Sequence, residues 1–163
     1  MTDIELGDYL EPSVKERALK LLKKPYAGSK AFKFNHSDAR YVSNCHGTMA
    51  YVFDLYNSII KEKIHPDVIS DNQMKKLINR FFLPSDKLDL GNLVCFYEVL
   101  EDKSESLLHS VLLIGENGQI FQQSGGGGIF ELKTIEEKLR TFINSEPVNV
   151  EVRSYRLKTK INE

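Results

Sequence analysis

The strongest constraint on the fold is a tight turn between two apolar segments in the second half of the chain. The turn, ENG at 116–118, separates LLHSVLLIG at 107–115 from QIFQQS at 119–124. Asn-Gly between apolar runs is typical of a β-hairpin, because both residues accept the positive φ that its turn requires. The sequence therefore predicts two neighbouring antiparallel strands in this region.

The remaining segments are helical in the first half of the chain and largely strands in the second. Apolar residues recur at helical spacing in four segments: 13–24, Cys45 to Ile60, 71–82 and 134–143. β-Branched and aromatic residues are concentrated in two others, 92–100 and 148–156, which favours strands. This order predicts a single α+β domain over residues 1–163, with helices ahead of an antiparallel meander.

Capping residues and prolines predict where the helices begin and end. Ser13, after Pro12, supplies a start for the first helix, and Ser70 or Asp71 supplies one for the third. Pro25 and Pro84 follow these two helices. Proline cannot continue the helical hydrogen-bond ladder, so both segments are expected to stop before it.

Charge and hydropathy exclude several classes of partner. The formal net charge of −1 over 163 residues gives no overall attraction to nucleic acid. No stretch approaches the roughly 20 apolar residues of a membrane span. The acidic first residues, MTDIELGDYLEPS, lack the apolar core of a signal peptide. We therefore expect a cytoplasmic protein or one exported by a specialised secretion system, with no nucleic-acid partner and no membrane span.

The cysteines and histidines also limit the chemistry. Two cysteines, Cys45 and Cys95, are too few for a disulfide scaffold, and neither belongs to a CxxC pair. The four histidines show no zinc-binding spacing, so we expect neither a metal nor an organic cofactor. His36 and His46 are close to Cys45 in sequence, so either could line its site, but a position at the surface is favoured. Cys95 within its apolar segment is expected in the core.

Cys45 lies where a polar loop meets the start of the second predicted helix. The first turn of a helix carries partial positive charge from its unpaired amide hydrogens, which stabilises a thiolate and lowers a thiol pKa. The same amides can bind the oxyanion that forms when sulfur attacks a carbonyl. Cys45 is therefore a candidate nucleophile, although a free cysteine can also be a small buried core residue.

His109 stands within an apolar strand and is the candidate base for Cys45. A third group should orient its ring through the other nitrogen. The predicted hairpin brings residue 122 close to Leu112, so Gln122 is the candidate, with Gln123 as the alternative if the register is shifted by one. His109 could instead be a hydrogen-bonded core histidine.

These segments resemble the NlpC-type cell-wall cysteine peptidases, a branch of the papain-like thiol hydrolases. The resemblance covers roughly residues 13–124. ALKLLKKPYAGS is similar to the family's helix and Lys-Pro-Tyr turn, and NCHGTMAYVF to its Asp-Cys-Ser-Gly helix start. LGNLVCFY is similar to its Gly-Asp-Leu-Val strand, and HSVLLIGENGQIFQQS to its His-Val-Gly hairpin. The resemblance implies a papain-like core with Cys45 as nucleophile, His109 as base, Gln122 as orienting residue and Tyr26 near the oxyanion.

Several residues depart from the family pattern. Asn44 stands where the family has Asp, and His46 where it has Ser. Ser110 begins the pair that replaces Val-Gly after the histidine, and Gln122 replaces the commoner His. These departures leave the residues expected to carry the thiol chemistry in place, and they argue against carrying over the peptidoglycan substrate unchanged. Tyr26 could also simply pack beneath its loop.

The expected function is a cysteine hydrolase that cleaves an amide by a Cys-His mechanism. The resemblance indicates a peptidase or amidase acting on cell-wall-type peptides, so a peptide or a peptidoglycan fragment is the expected substrate. A deamidase, a transglutaminase-like enzyme or an acyltransferase effector acting on protein or lipid is the alternative. A third hypothesis is a non-enzymatic binding module. The presence of both Cys45 and His109 argues against it.

Overall fold

The computed structural model describes residues 10–23, 43–55, 68–124, 129–145 and 149–158. Within these ranges the chain forms four helices and one open, six-stranded antiparallel sheet. The α+β class predicted from the order of segments is therefore confirmed. None of the helices in these ranges combines the length and apolar character needed to cross a bilayer.

The four helices are α1 (Pro12–Leu22), α2 (Cys45–Val52), α3 (Asp71–Phe81) and α4 (Ile135–Ser145). Three of them match the predicted segments to within two residues at either end. α2 begins at Cys45 as predicted, but the helix ends at Val52, because Phe53 caps it and Asp54 adopts a φ of 58°. The predicted continuation through 56–60 lies outside the described residues.

Local capping explains where α3 and α4 begin. Ser70 accepts a hydrogen bond from the backbone N–H of Gln73, whose side chain accepts one from the backbone N–H of Ser70. This reciprocal capping box satisfies two otherwise unpaired amides and makes Ser70, of the two predicted candidates, the N-cap residue. At α4, the Thr134 hydroxyl accepts from the backbone N–H of Glu137.

The strands are β1 (Phe82–Ser85), β2 (Leu93–Val99), β3 (Glu105–Gly115), β4 (Gln119–Gln123), β5 (Phe130–Thr134) and β6 (Val150–Leu157). Their order in the sheet is β1-β6-β2-β3-β4-β5, so β2 to β4 form the predicted meander and β5 extends it by one strand. Two strands, β1 and β5, were not predicted. Both lie at sheet edges, where β1 tolerates Pro84 because an edge strand does not need every N–H for pairing.

The hairpin between β3 and β4 forms at the predicted turn. Gly118 has a φ of 72°, in the left-handed region that favours glycine, and its N–H donates to the carbonyl of Gly115. Leu112 pairs with Phe121, so Gln122 lies one residue beyond the position facing Leu112. The predicted register is thus close enough to bring Gln122 beside the segment that carries His109.

Apolar side chains form separate cores on the two faces of the sheet. On the face covered by α1, α2 and α3, called here the α2 face, Met49 and Tyr51 belong to the same cluster as Cys95, Leu112 and Phe121. The opposite face, called the α4 face, is covered by α4, and its core consists of Val94, Phe96, Val111, Leu113 and Ile120, with Leu139 and Phe142 packed against them. Cys95 is fully buried in the first cluster, which confirms its predicted place in the core.

Candidate functional site

Cys45 is the first residue of α2 and is nearly buried, with 7% of its surface exposed. Asn44 is the N-cap residue, and its side-chain oxygen accepts from the backbone N–H of Gly47 at 2.8 Å. α2 packs against β3 and β4, which places the sulfur at the sheet. The predicted position of the thiol at a helix start is therefore present in the structure.

Asn44 also ties the start of α2 to the segment that precedes α3. Its amide group donates to the carbonyl of Ile69 at 2.7 Å, and its oxygen accepts from the N–H of Ile69 at 3.1 Å. An aspartate could cap α2 but could not donate to the Ile69 carbonyl, because an ionised carboxylate only accepts. This contact accounts for asparagine at a position where the resembled family has aspartate.

Burial raises the pKa of the Cys45 thiol, and this is the largest influence on it. Hydrogen bonds from the backbone of Ser110 and of His46 lower the pKa, as does the positive charge of Lys138, but together they do not offset burial. The expectation that the helix start would lower this pKa is wrong, since an apolar, water-poor setting disfavours the thiolate more strongly. The resting side chain is a neutral thiol that needs a proton acceptor.

His46 is buried, so its predicted place at the surface is wrong. Its Nδ1 lies 2.8 Å from the Ser110 hydroxyl oxygen and 3.7 Å from the Cys45 sulfur. Its Nε2 lies 2.8 Å from Oδ1 of Asp71, the first residue of α3. Burial lowers the pKa of His46, and the hydrogen bond to Asp71 opposes that shift.

His109 is buried on β3, and its Nε2 lies 2.7 Å from Oε1 of Gln122 on β4. The Gln122 amide nitrogen in turn donates to the Glu131 carboxylate at 3.1 Å. Because a carboxylate only accepts, Gln122 must present its NH₂ to Glu131 and its oxygen to His109. Nε2 of His109 therefore carries the hydrogen, and Nδ1 holds the lone pair.

The His109 ring lies on the α4 face. Its centroid is 5.9 Å from that of Phe96 and 6.4 Å from that of Phe142. Burial, followed by the positive charge of Lys138, lowers the pKa of His109 to about 3, although the Gln122 hydrogen bond opposes the shift. The ring is therefore neutral at physiological pH.

Gln123 points to the other face of the sheet and makes different contacts. Its side-chain oxygen accepts from the hydroxyl of Ser43 at 2.8 Å and from that of Thr48 at 2.7 Å. These bonds attach the start of α2 to β4. The contact with the histidine therefore belongs to Gln122, as side chains alternate between the two faces along a strand.

The predicted site residues form two separate contacts. His109 and Gln122 are hydrogen-bonded to each other, while Cys45 contacts His46 and the backbone of Ser110, the residue after His109. Among the hydrogen bonds of the described residues, none joins Cys45 directly to His109. The catalytic roles of these residues remain predictions, and Tyr26 lies outside the described residues, as does His36.

Three further side chains near the predicted site residues were not predicted from the sequence. Asp71 binds His46, Glu131 binds Gln122, and the largely buried Lys138 influences both Cys45 and His109 through its charge. The Lys138 ammonium lies 5.2 Å from the centre of the Phe142 ring, and burial lowers its pKa. Asp71, Glu131 and Lys138 are separated along the chain from the residues that they contact or influence, so no local sequence pattern indicated them.

Comparisons with models of protein families, with curated proteins and with solved structures find no match to this chain. Within the part of the chain that the structure describes, no three His, Cys, Asp or Glu side chains converge as they would around a metal ion. The geometry and chemistry of the side chains therefore provide the basis for a functional proposal.

Proposed function

We propose that this protein is a papain-like thiol hydrolase of the NlpC type, in which Cys45 attacks the carbonyl of an amide. The observation that carries the proposal is the setting of this thiol. It is a free cysteine at the first residue of a buried helix, with backbone hydrogen bonds from His46 and Ser110 and an imidazole 3.7 Å from its sulfur. Such donors can bind an oxyanion, and an imidazole can accept the thiol proton.

The His109–Gln122 pair is assigned to the acid–base chemistry of the same site. Gln122 holds Nε2 of the ring, so Nδ1 carries the lone pair that a base would use. His109 directly precedes Ser110, whose backbone contacts the sulfur. The His109 ring itself lies on the α4 face, across the sheet from the sulfur, because side chains alternate along a strand, so its acid–base role rests on the family resemblance and not on this adjacency.

The proposed substrate is a peptide or isopeptide amide of the kind found in cell-wall peptides. The reaction has two halves: the thiolate displaces an amine to form an acyl-enzyme, and water then releases the acid. A protein or lipid acyltransferase would share the first half, with an amine or hydroxyl replacing water in the second. A hydrolase and an acyltransferase are distinguished by whether an added amine captures the acyl group.

Intact-mass measurement after mixing with an activated ester tests the proposal. We expect one acyl group per chain, located on Cys45 by peptide mapping, and slow release by water. Cys45→Ala should abolish acylation, because the nucleophile is removed. Cys95→Ala is the matched control and should retain it, since Cys95 is fully buried and burial raises its pKa strongly.

Cleavage of stem-peptide amides, followed by chromatography, tests the substrate class. Loss of amide cleavage in Cys45→Ala, with retention in Cys95→Ala, is the expected result. Failure of the folded wild-type protein to acylate Cys45 would contradict the thiol mechanism. In that case the near-complete burial of the thiol would favour the non-enzymatic binding module.

A further inference from the structure

A second polar cluster, with two buried members and one exposed one, adjoins Cys45 and is separate from the His109–Gln122 pair. It consists of His46, Ser110 and Asp71, which come from α2, β3 and α3. Nδ1 of His46 faces the Ser110 hydroxyl at 2.8 Å and the Cys45 sulfur at 3.7 Å, while Nε2 faces Asp71 at 2.8 Å. The imidazole therefore connects the candidate nucleophile to a carboxylate.

The hydrogen-bond partners determine which nitrogen of His46 is protonated. The Asp71 carboxylate can only accept, so Nε2 of the neutral ring must carry the hydrogen. Nδ1 then holds the lone pair and accepts from the Ser110 hydroxyl, with the Cys45 thiol as its second, longer contact. A base for the thiol needs this tautomer, and a carboxylate on the far nitrogen stabilises the cation that forms.

Capping side chains hold the two helix starts that carry His46 and Asp71 in place. The side chain of Asn44 joins the start of α2 to Ile69, and the capping box of Ser70 sets the first turn of α3. Asp71 belongs to that first turn, where the helix dipole favours a negative charge. The positions of His46 and Asp71 relative to each other thus follow from two defined helix starts.

We propose that His46, oriented by Asp71, is the base that removes the proton from Cys45. This assignment rests on the proposed thiol chemistry and identifies a catalytic residue and a positioning residue within it. His109, whose ring lies with Phe96 and Phe142 on the α4 face, is across the sheet from the sulfur, which leaves His46 as the imidazole beside the thiol. Two of the departures from the resembled family, His46 and Ser110, are hydrogen-bonded to each other in this cluster.

In the proposed step, one proton moves from Cys45 to His46 and then to the leaving amine. The Cys45 S–H bond breaks as its proton passes to Nδ1 of His46, and the thiolate forms a bond to the substrate carbonyl carbon. When the tetrahedral intermediate collapses, Nδ1–H returns the proton to the leaving amine and the C–N bond breaks. The Asp71 carboxylate accepts the hydrogen bond from Nε2 throughout and pairs with the transient imidazolium.

Alkylation of Cys45 by iodoacetamide measures thiolate formation without requiring a substrate. We expect His46→Gln to lower the alkylation rate at neutral pH by about 100-fold, within the usual range for loss of a general base. Asp71→Asn should lower it by about 10-fold and move the inflection of the rate–pH profile, a readout that a purely structural role would not change. Asp71→Glu should restore part of the rate.

Asp86→Asn is the matched control for Asp71→Asn, because it neutralises another exposed carboxylate, in the turn after β1. It should leave the alkylation rate at the wild-type value. Circular dichroism verifies that each variant folds. If His46→Gln does not fold, Asp71→Asn still tests the proposal, because the Asp71 side chain is 58% exposed and its substitution should not disrupt the core.

Three results would overturn this assignment or its basis. Wild-type alkylation rates in folded Asp71→Asn and His46→Gln would eliminate the proposed base. A larger loss in His109→Gln than in His46→Gln would assign the base to His109 and leave the thiol hydrolase proposal intact. Normal alkylation without acylation by any activated ester would contradict the hydrolase proposal itself.

Discussion

At the scale of single residues, the neighbouring Gln122 and Gln123 have different tasks although both are fully buried. Gln122 holds Nε2 of His109, while Gln123 accepts hydrogen bonds from Ser43 and Thr48 on the opposite face. Substitution of the first should affect chemistry, and substitution of the second should affect stability.

Gln122→Ala should slow acylation by about 10-fold, less than removal of Cys45 or His109, because the ring can still react from less favourable positions. Gln122→His should retain more activity than Gln122→Ala, since an imidazole can replace the amide contact. Single-turnover acylation by an activated ester measures both. A rate for Gln122→Ala equal to that of the wild type would mean that His109 does not depend on this contact.

Gln123→Ala should instead lower the free energy of unfolding by about 2–4 kcal/mol, because two buried hydroxyls lose their acceptor. Acylation should persist in the fraction that remains folded. Urea titration followed by circular dichroism measures the loss. Abolished acylation in a fully folded Gln123→Ala would show that this residue, and not Gln122, supports the reaction.

At the scale of elements, the starts of α2 and α3 are joined through the side chain of Asn44. One asparagine caps α2 and also exchanges two hydrogen bonds with Ile69, close to the start of α3. The two helix starts carry the proposed catalytic residues Cys45 and His46 and the positioning residue Asp71. Loss of this contact should affect both stability and the geometry of the site.

Asn44→Asp retains the cap on α2 but loses the donor to the Ile69 carbonyl, so we expect a loss of about 1 kcal/mol in unfolding free energy. Asn44→Ala loses the cap as well and should cost about 2–3 kcal/mol. Urea titrations of the two variants supply the comparison. Equal stability of Asn44→Asp and the wild type would show that the donor is dispensable.

At the scale of the whole molecule, stability depends on keeping buried imidazoles neutral. The pKa of His109 is lowered to about 3 by burial, whereas it is near 6.5 in an unfolded chain. Burial also lowers the pKa of His46. Below pH 6.5 the unfolded chain therefore binds protons that the folded protein excludes, and acid favours unfolding.

The free energy of unfolding should accordingly be unaffected by His109 above about pH 7 and should fall as the pH decreases from about 6.5 toward 3. The limiting slope from one such residue is about 1.4 kcal/mol per pH unit. Urea titrations at a series of pH values measure it. His109→Gln should reduce the slope by about that amount, and an unchanged slope would show that His109 does not remain neutral in the folded protein.

Features that depend on neighbouring residues could be predicted from the sequence. Helical periodicity and a cap at Ser70 or Asp71 predicted α3, and Asn117-Gly118 predicted the β3–β4 hairpin, because these signals act within a few residues. The helix start at Cys45 was predicted for the same reason. The proximity of Gln122 to His109 followed from the short turn that joins their strands.

Features that join distant segments depend on tertiary packing and could not be predicted from the sequence. The edge strands β1 and β5 are defined by pairing with β6 and β4, and each has a short, weak pattern of its own. His46 looked like a surface histidine because its partners, Asp71 and Ser110, are 25 and 64 residues away along the chain. Burial of Cys45 by packing, a property of the folded protein, likewise outweighed the local effect of the helix start on its pKa.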